Sequence, residues 1–419
     1  MRLLRPLRDR PIALLWAGLT TSAIGDYLFS MALTWVAVGV FGAAAGYLTA
    51  LEAAIVLLTL LGCGHWADRR HPRSVMIAAD IGRALALIVV MLAWLAAGRP
   101  PAWGLIVVVL ILAIGQALFR PALQATVPGL VTDRGLLPAT NALLDATERI
   151  ARLSGRGAVV LLAGLLPLAH FLTLDAASFI VSAVAILSIG RLRTLPYARP
   201  ADAEDAVAAI ARGFRAMRQH ALLEYVLCWY FVASGATYAA LYLALPLMIE
   251  HWGMAGPGGS GLSAYGLVIT AYGCSNLLSM LVVGNLTLPS RPGLRMVIGN
   301  LTVGTGTLLL GVMMALPMPI SARLPCLMAV AVMTAIGGPM SDITIATLRQ
   351  TLLPAADMAA AMRANMTMLN LGLLIGMLLA PGIYHAIGVA PGVMLYGTVM
   401  MLTGAIGMLR YRNVRLAVA

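Results

Sequence analysis

Twelve long apolar runs begin near Pro11, Ala44, Arg73, Trp103, Leu137, Ala169, Leu222, Leu262, Leu294, Arg323, Met358 and Val389 and occupy almost all of this 419-residue chain. A helix that crosses a bilayer needs about 20 mostly apolar residues, whereas a strand of a membrane barrel needs only roughly 10. Only helices and closed barrels satisfy their backbone in lipid, so each run is expected to be a transmembrane helix. Composition agrees: 61% of the residues are hydrophobic and 11% charged, against about a quarter charged in a soluble domain. The expected fold class is an all-α polytopic membrane protein with 12 transmembrane helices. The first run is too long for the core of a cleaved signal peptide and is expected to act as an uncleaved signal anchor.

The one sizeable polar stretch, Arg191 to His220, splits the runs six and six. Residues 1–190 are therefore expected to form an N-terminal six-helix bundle, 191–221 a cytoplasmic linker and 222–419 a C-terminal six-helix bundle. Within the linker, Val207, Ile210, Phe214 and Met217 share a helical face and Arg212, Arg215 and Arg218 lie elsewhere. That pattern predicts an amphipathic helix on the cytoplasmic leaflet.

All 28 basic residues are arginine. They crowd the N-terminus (Arg2, Arg5, Arg8, Arg10), the second loop (Arg69, Arg70, Arg73), the central linker and the C-terminus (Arg410, Arg412, Arg415), all on one side of the expected helices, while the opposite loops carry Arg99 and Arg323. The positive-inside rule then places both termini in the cytoplasm. The net charge of +12 is a matter of topology. Arginines spread over loops form no groove for nucleic acid. Four scattered cysteines (Cys63, Cys228, Cys274, Cys326) suggest no disulfide framework.

The halves repeat. Gln124 and Pro128 match Gln350 and Pro354 at identical spacing, and Asn141 matches Asn365 two residues tighter. Parallel six-helix repeats with a midplane site between them are a transporter architecture. On the same offset Gln116 corresponds to Asp342, and the two are expected to face each other across a pseudo-twofold axis.

The loop "GHWADRRHPR" (Gly64 to Arg73) resembles the motif that the major facilitator superfamily carries between its second and third helices. The segments "PALQATVPGLV", "LPATNALL" and "LDAASFIVSA" resemble the drug:proton antiporter-3 branch, which holds macrolide and enterobactin-type siderophore exporters. The chain departs from that pattern twice. Gly155-Arg156 stands where the branch has Gly-Pro, and His71-Pro72 stands where the loop motif has Gly-Arg. The resemblance implies the superfamily's fold of two six-helix bundles, alternating access, and a cavity lined by the first, fourth, seventh and tenth helices.

A carboxylate in the middle of a membrane helix costs about 2.5–3.5 kcal/mol on insertion scales and marks a functional site by default. Asp26 lies in the first run and Asp342 in the tenth, and these are the proton-coupling candidates; Gln116, Arg120 and Tyr238 join them among the polar residues expected to line the cavity. The alternative is structural: either aspartate pairs with Arg120 or is capped by a hydroxyl such as Ser22 or Thr344. Glu52, toward the outer side of the second run, is a further candidate. Asp80 with Arg83, and Asp145, Glu148, Arg149, Arg152 and Arg156 among themselves, have i,i+3 or i,i+4 partners that suit self-neutralised pairs. Arg156, deepest in its run, either binds an anionic substrate or pairs with Glu148 or Glu52. Gly64, Asp68, Arg69 and Arg73 are the expected conformational gate, with Asp68 facing a helix N-terminus.

The reading is a secondary transporter of the bacterial-type cytoplasmic membrane, expected to be monomeric. It would bind protons and a small-molecule substrate within the lipid bilayer. It needs no cofactor beyond the proton gradient, no resident metal and no nucleic acid, and it is not an enzyme, since no nucleophile elbow, metal-ligand pair or phosphate loop is present. The expected activity is proton-coupled export of an amphipathic small molecule such as a drug or siderophore. Two alternatives stand on the same fold. One is transition-metal transport, from the row Met358, Met362 and Met366 or a ferroportin-type resemblance of the Gly25-Asp26 pair and the following loop; the other is lysophospholipid transport.

Overall fold

The computed structural model describes residues 2–63, 71–131, 136–192, 206–286 and 291–412, which form helices joined by short turns, with no strand among the described residues. The first half comprises α1 (Arg10–Phe41), α2 (Gly46–Leu58), α3 (Pro72–Ala97), α4 (Ala102–Leu130), α5 (Leu137–Leu162) and α6 (Ala169–Leu192). The short α7 (Ala206–Arg218) follows. The second half comprises α8 (Ala221–Tyr238), α9 (Leu245–His251), α10 (Gly261–Gly284), α11 (Pro292–Ala315), α12 (Ile320–Leu352), α13 (Met358–Ile387) and α14 (Val389–Tyr411).

Among the described residues, ten helical stretches are long and apolar enough to cross a membrane. The first, Arg10–Leu61, holds two crossings, because a 3₁₀ turn at Gly42–Ala45 divides α1 from α2. Gly42 there has φ +56°, a left-handed conformation open to a residue without Cβ. Helix α5 is 26 residues long but carries Asp145, Glu148, Arg149, Arg152 and Arg156, too many charges for a purely apolar span. With it the count reaches the expected twelve. π-helical turns extend α2 (Thr59–Cys63) and join α8 to α9 (Ala239–Ala244). The second turn frees backbone groups, and the Tyr384 hydroxyl donates to the Ala239 carbonyl at 2.8 Å.

The chain divides into two compact units, Met1–Val40 with Leu58–Ala203, and Phe41–Leu57 with Glu204–Ala419. Beside the expected bundles 1–190 and 222–419 with a linker at 191–221, the linker is divided between the units at residue 203 and one further segment changes sides. Phe41–Leu57 groups with the second unit because Gly46 sits against Leu243 and Pro381. The first unit's core holds Ile12, Leu15, Met76, Phe119, Leu130 and Ile186; the second's holds Leu223, Val226, Met296, Ile345, Leu348 and Met400.

Lipid tails are as apolar as leucine, so helices in a bilayer associate through close packing of small residues. Between α8 and α13 that role falls to Gly235, Gly372 and Gly376, whose backbones meet directly. A side chain at Gly372 would overlap the Phe231 carbonyl, whereas Gly382 on the same helix faces open space. Gly372→Leu is therefore expected to cost at least about 1–3 kcal/mol of overpacking and to abolish monodisperse protein in detergent chromatography. Gly382→Leu should elute as wild type.

Helix α7 is amphipathic as expected, but its apolar face is covered by protein. Ile210 and Met217 are buried, Phe214 packs on the core of the second unit, and Gly213 lies against the Ala360 backbone of α13. Arg212 lies 3.9 Å from Asp357. Of the four apolar positions, Val207 alone is exposed. Small residues at 209, 213 and 216 let the helix dock on α13.

Candidate functional site

Helix α5 carries its charges on a face turned toward α1 and α4. Gly155 permits the close approach to α1, since a Cβ there would stand 2.7 Å from the Ile24 carbonyl. Around this crossing the Trp16 indole donates to Thr147 Oγ1 at 2.7 Å, and the Tyr27 hydroxyl donates to Glu148 Oε1 at 2.6 Å. The same carboxylate oxygen accepts from Arg120 of α4 at 3.2 Å. Glu148 was expected to be neutralised along its own helix. It pairs across to α4, while the Asp145–Arg149 pair at 3.1 Å lies within α5.

Between α1, α4 and α5 lies a cavity of about 540 Å³, wholly within the first unit. Its apolar wall includes Leu19, Phe119, Leu123, Val127 and Leu144, and its polar wall includes Asp26, Gln116, Arg120, Gln124, Asn141 and Glu148. Three of the expected site residues, Asp26, Gln116 and Arg120, thus come together here. Asp26 makes no hydrogen bond or ion pair among the described residues.

Behind the wall stands a buried charge centre. Arg83 of α3, 2% exposed, forms an ion pair with the fully buried Asp80 and donates to Gln116 Oε1 at 3.3 Å. Its guanidinium lies 4.0 Å from the Phe179 ring centroid and 5.1 Å from that of Phe119. A buried ion pair keeps its charge only with such compensation, and Gly115 provides the room, since a Cβ there would stand 2.7 Å from the Arg83 stem. Asp175 of α6, fully buried, completes the centre and accepts from the Ser178 hydroxyl at 3.3 Å.

The other expected residues are not among those that line this cavity. Arg156 stands over the Tyr27 ring at 5.7 Å and does not line the cavity. Its expected partner Glu148 is held by Tyr27 and Arg120. Glu52 belongs to the second unit and is exposed on α2. In that unit Asp342 accepts from the Tyr230 hydroxyl at 2.9 Å, and Tyr230 has the buried Arg349 and Asn365 as neighbours. Tyr238 stacks on Tyr242, ring centroids 4.8 Å apart. Gly64, Asp68 and Arg69 lie outside the described residues. Arg73 donates to the Ile186 and Leu187 carbonyls at 3.1 and 2.8 Å, at the carbonyl-rich end of α6 where a cation is favoured.

In the methionine row, Met358 packs on the core, and Met362 and Met366 are exposed. No group of three or more His, Cys, Asp or Glu suited to a metal ion occurs among the described residues. Sequence reasoning passed over Asp175, although "LDAASFIVSA" gives the same signal as Asp26, a carboxylate inside an apolar run. It also passed over Tyr27, Tyr230 and Arg349, for which no such signal exists.

Twelve membrane helices, a polar cavity walled by apolar side chains, and buried charge beside it define a multi-pass membrane transporter. The sequence profile described as "Major Facilitator Superfamily" matches residues 15–310, and the chain belongs to that superfamily. It is accordingly a secondary transporter that works by alternating access, and not an enzyme. No curated protein sequence matches it. Similar solved structures include a POT family transporter in complex with thioalcohol-conjugated peptide, at 14% identity over 96% of both chains and TM-score 0.70. Another is a POT family transporter in complex with 5-aminolevulinic acid, at 14% identity over 96% of both chains and TM-score 0.72. A bacterial homolog to the human lysosomal transporter Spinster, inward-facing and unoccupied, is similar over 98% of this chain and 99% of its own, at 12% identity and TM-score 0.71.

Proposed function

We propose that the chain is a proton-coupled exporter of amphipathic organic cations, with Asp26 as the carboxylate that holds substrate and proton in turn. One observation carries the reading. The two arginines that line the cavity are engaged, Arg83 by Asp80 and Arg120 by Glu148, while Asp26 is left without an ion pair. An anionic siderophore would have to displace a carboxylate to reach an arginine. A cation meets Asp26 directly and lays its apolar body on Phe119, Leu123 and Leu144. A carboxylate satisfied by a cation or by a proton, but not by both, exchanges one for the other.

The export direction is supported by the resemblance of "PALQATVPGLV" and "LPATNALL" to drug:proton antiporters. Cytoplasmic termini in a bacterial-type inner membrane are supported by the one-sided arginines. The gate is assigned to Gly64, Asp68, Arg69 and Arg73, and the hold of Arg73 on the end of α6 supports a coupling of that loop to the bundle.

The test is proton flux in proteoliposomes holding a pH dye, across cationic dyes, macrolides, citrate- and catechol-type siderophores, lysophospholipids, peptides and divalent metals. Flux evoked by amphipathic cations and by no anion is the expected result. A response confined to siderophores, lipids, peptides or metals would replace the substrate class, and flux with no substrate dependence would remove the coupling.

A further inference from the structure

Asp175 has no part in the transport reading above, yet it is as enclosed as Asp80. It is 0% exposed, and its Oδ2 has no hydrogen-bond partner among the described residues. It lies against α1 at Gly25, where a Cβ would overlap the Ser178 hydroxyl and stand 2.9 Å from Asp175 Oδ1. Gly25 is the residue before Asp26, so the absence of a side chain there seats Asp175 against the turn of α1 that carries Asp26.

The charged groups around Asp175 are few. Asp26 faces it from α1 and Arg83 from α3, with Asp80 paired to Arg83. Beyond Asp26, Glu148 of α5 and Arg120 of α4 bind each other at the cavity. One buried cation therefore stands among three carboxyls from three helices, and it is already paired with Asp80. Arg83 Nε also lacks a partner. With Arg83 committed to Asp80, the buried Asp175 and the cavity-side Asp26 have no cation of their own, and the unpartnered oxygen of Asp175 is sealed from solvent. A proton on one of the two, shared with the other, settles the charge count, as carboxyls that share a site do elsewhere.

We propose that Asp175 and Asp26 form a two-carboxyl proton store, in which Asp26 is the member open to the cavity and Asp175 the inner reservoir. This rests on the reading of Asp26 as the coupling carboxylate. The proton step is a transfer between like groups: the O–H bond on Asp26 breaks as one forms on the Asp175 carboxylate, and Asp26 then takes a second proton from the cavity. Substrate arriving at Asp26 displaces the outer proton first, and the inner one follows when the outer carboxylate is empty.

The experiment is infrared difference spectroscopy of the full chain in lipid nanodiscs between acid and alkaline pH, read at the C=O stretch of protonated carboxyls. The wild type is expected to show a component that moves to lower frequency in heavy water, lost in Asp175→Asn and shifted but kept in Asp26→Asn. Absence of that component at every pH would overturn the proposal, as would its survival in Asp175→Asn. An unshifted component in Asp26→Asn would break the pair, whatever happens to transport. Should Asp175→Asn not fold, Asp175→Glu keeps the acid and moves it by one methylene, and must shift the same component. Proton flux in Asp26→Asn separates the two readings: surviving flux with the shift present removes the coupling role of Asp26 and leaves the carboxyl pair standing.

Discussion

Asp26→Asn is expected to abolish substrate-evoked proton flux while the protein remains folded and still binds the apolar part of its substrate. The substitution keeps the size of the side chain and its place on the cavity wall, and it disturbs no ion pair, since Asp26 makes none among the described residues. What it removes is the ability to carry a proton and the charge that meets a cation. Loss of a desolvated charge contact costs about 2 kcal/mol or more, so binding of a cationic substrate should weaken by roughly 30-fold or more. Binding of a neutral analogue should change little. Flux and binding, measured on the same preparation, separate the two roles: flux lost with cation affinity unchanged would make Asp26 a proton carrier alone. Flux retained would move the coupling to Asp342, which accepts from Tyr230 in the second unit.

How much of this was legible beforehand follows from which interactions are local. The helix count was legible because lipid leaves a spanning chain no alternative, and α5 was legible as a span in spite of five charges because its length is fixed by its neighbours. The Asp80–Arg83 pair was legible from a spacing of three, as was Asp145–Arg149 from a spacing of four. The partner of Glu148 was not, because Arg120 is 28 residues away on another helix and only the close crossing at Gly155 brings them together. Amphipathicity in α7 announced that a face is covered without saying by what; a bilayer and the Ala360 backbone make the same demand on Ile210 and Met217. Asp175 obeyed the rule that singled out Asp26. It was absorbed instead into a family-like segment, and its depth depends on Gly25, a residue whose contribution is the side chain it lacks.

Arg83→Met is expected to be among the most destabilising single substitutions in the first unit, and the double variant Asp80→Leu/Arg83→Met to recover most of the loss. Arg83 is 2% exposed and Asp80 0%, so removal of the cation leaves a buried carboxylate uncompensated, at a cost of about 3–5 kcal/mol. The stacking on Phe179 and Phe119 is lost as well, though the methionine thioether retains part of it. Replacement of both partners removes the uncompensated charge, and buried pairs exchanged for apolar side chains are often neutral in stability. Thermal unfolding in detergent checks this: a low midpoint for Arg83→Met and a near wild-type midpoint for the double variant are expected. If Arg83→Met unfolds like the wild type, the pair is not the structural centre of this unit. If the double variant is as unstable as the single one, Arg83 matters for Asp26 and Asp175 more than for Asp80. The double variant should in either case fail in proton-coupled transport, because the cation around which three carboxyls are gathered is gone while the helices that carry them remain packed.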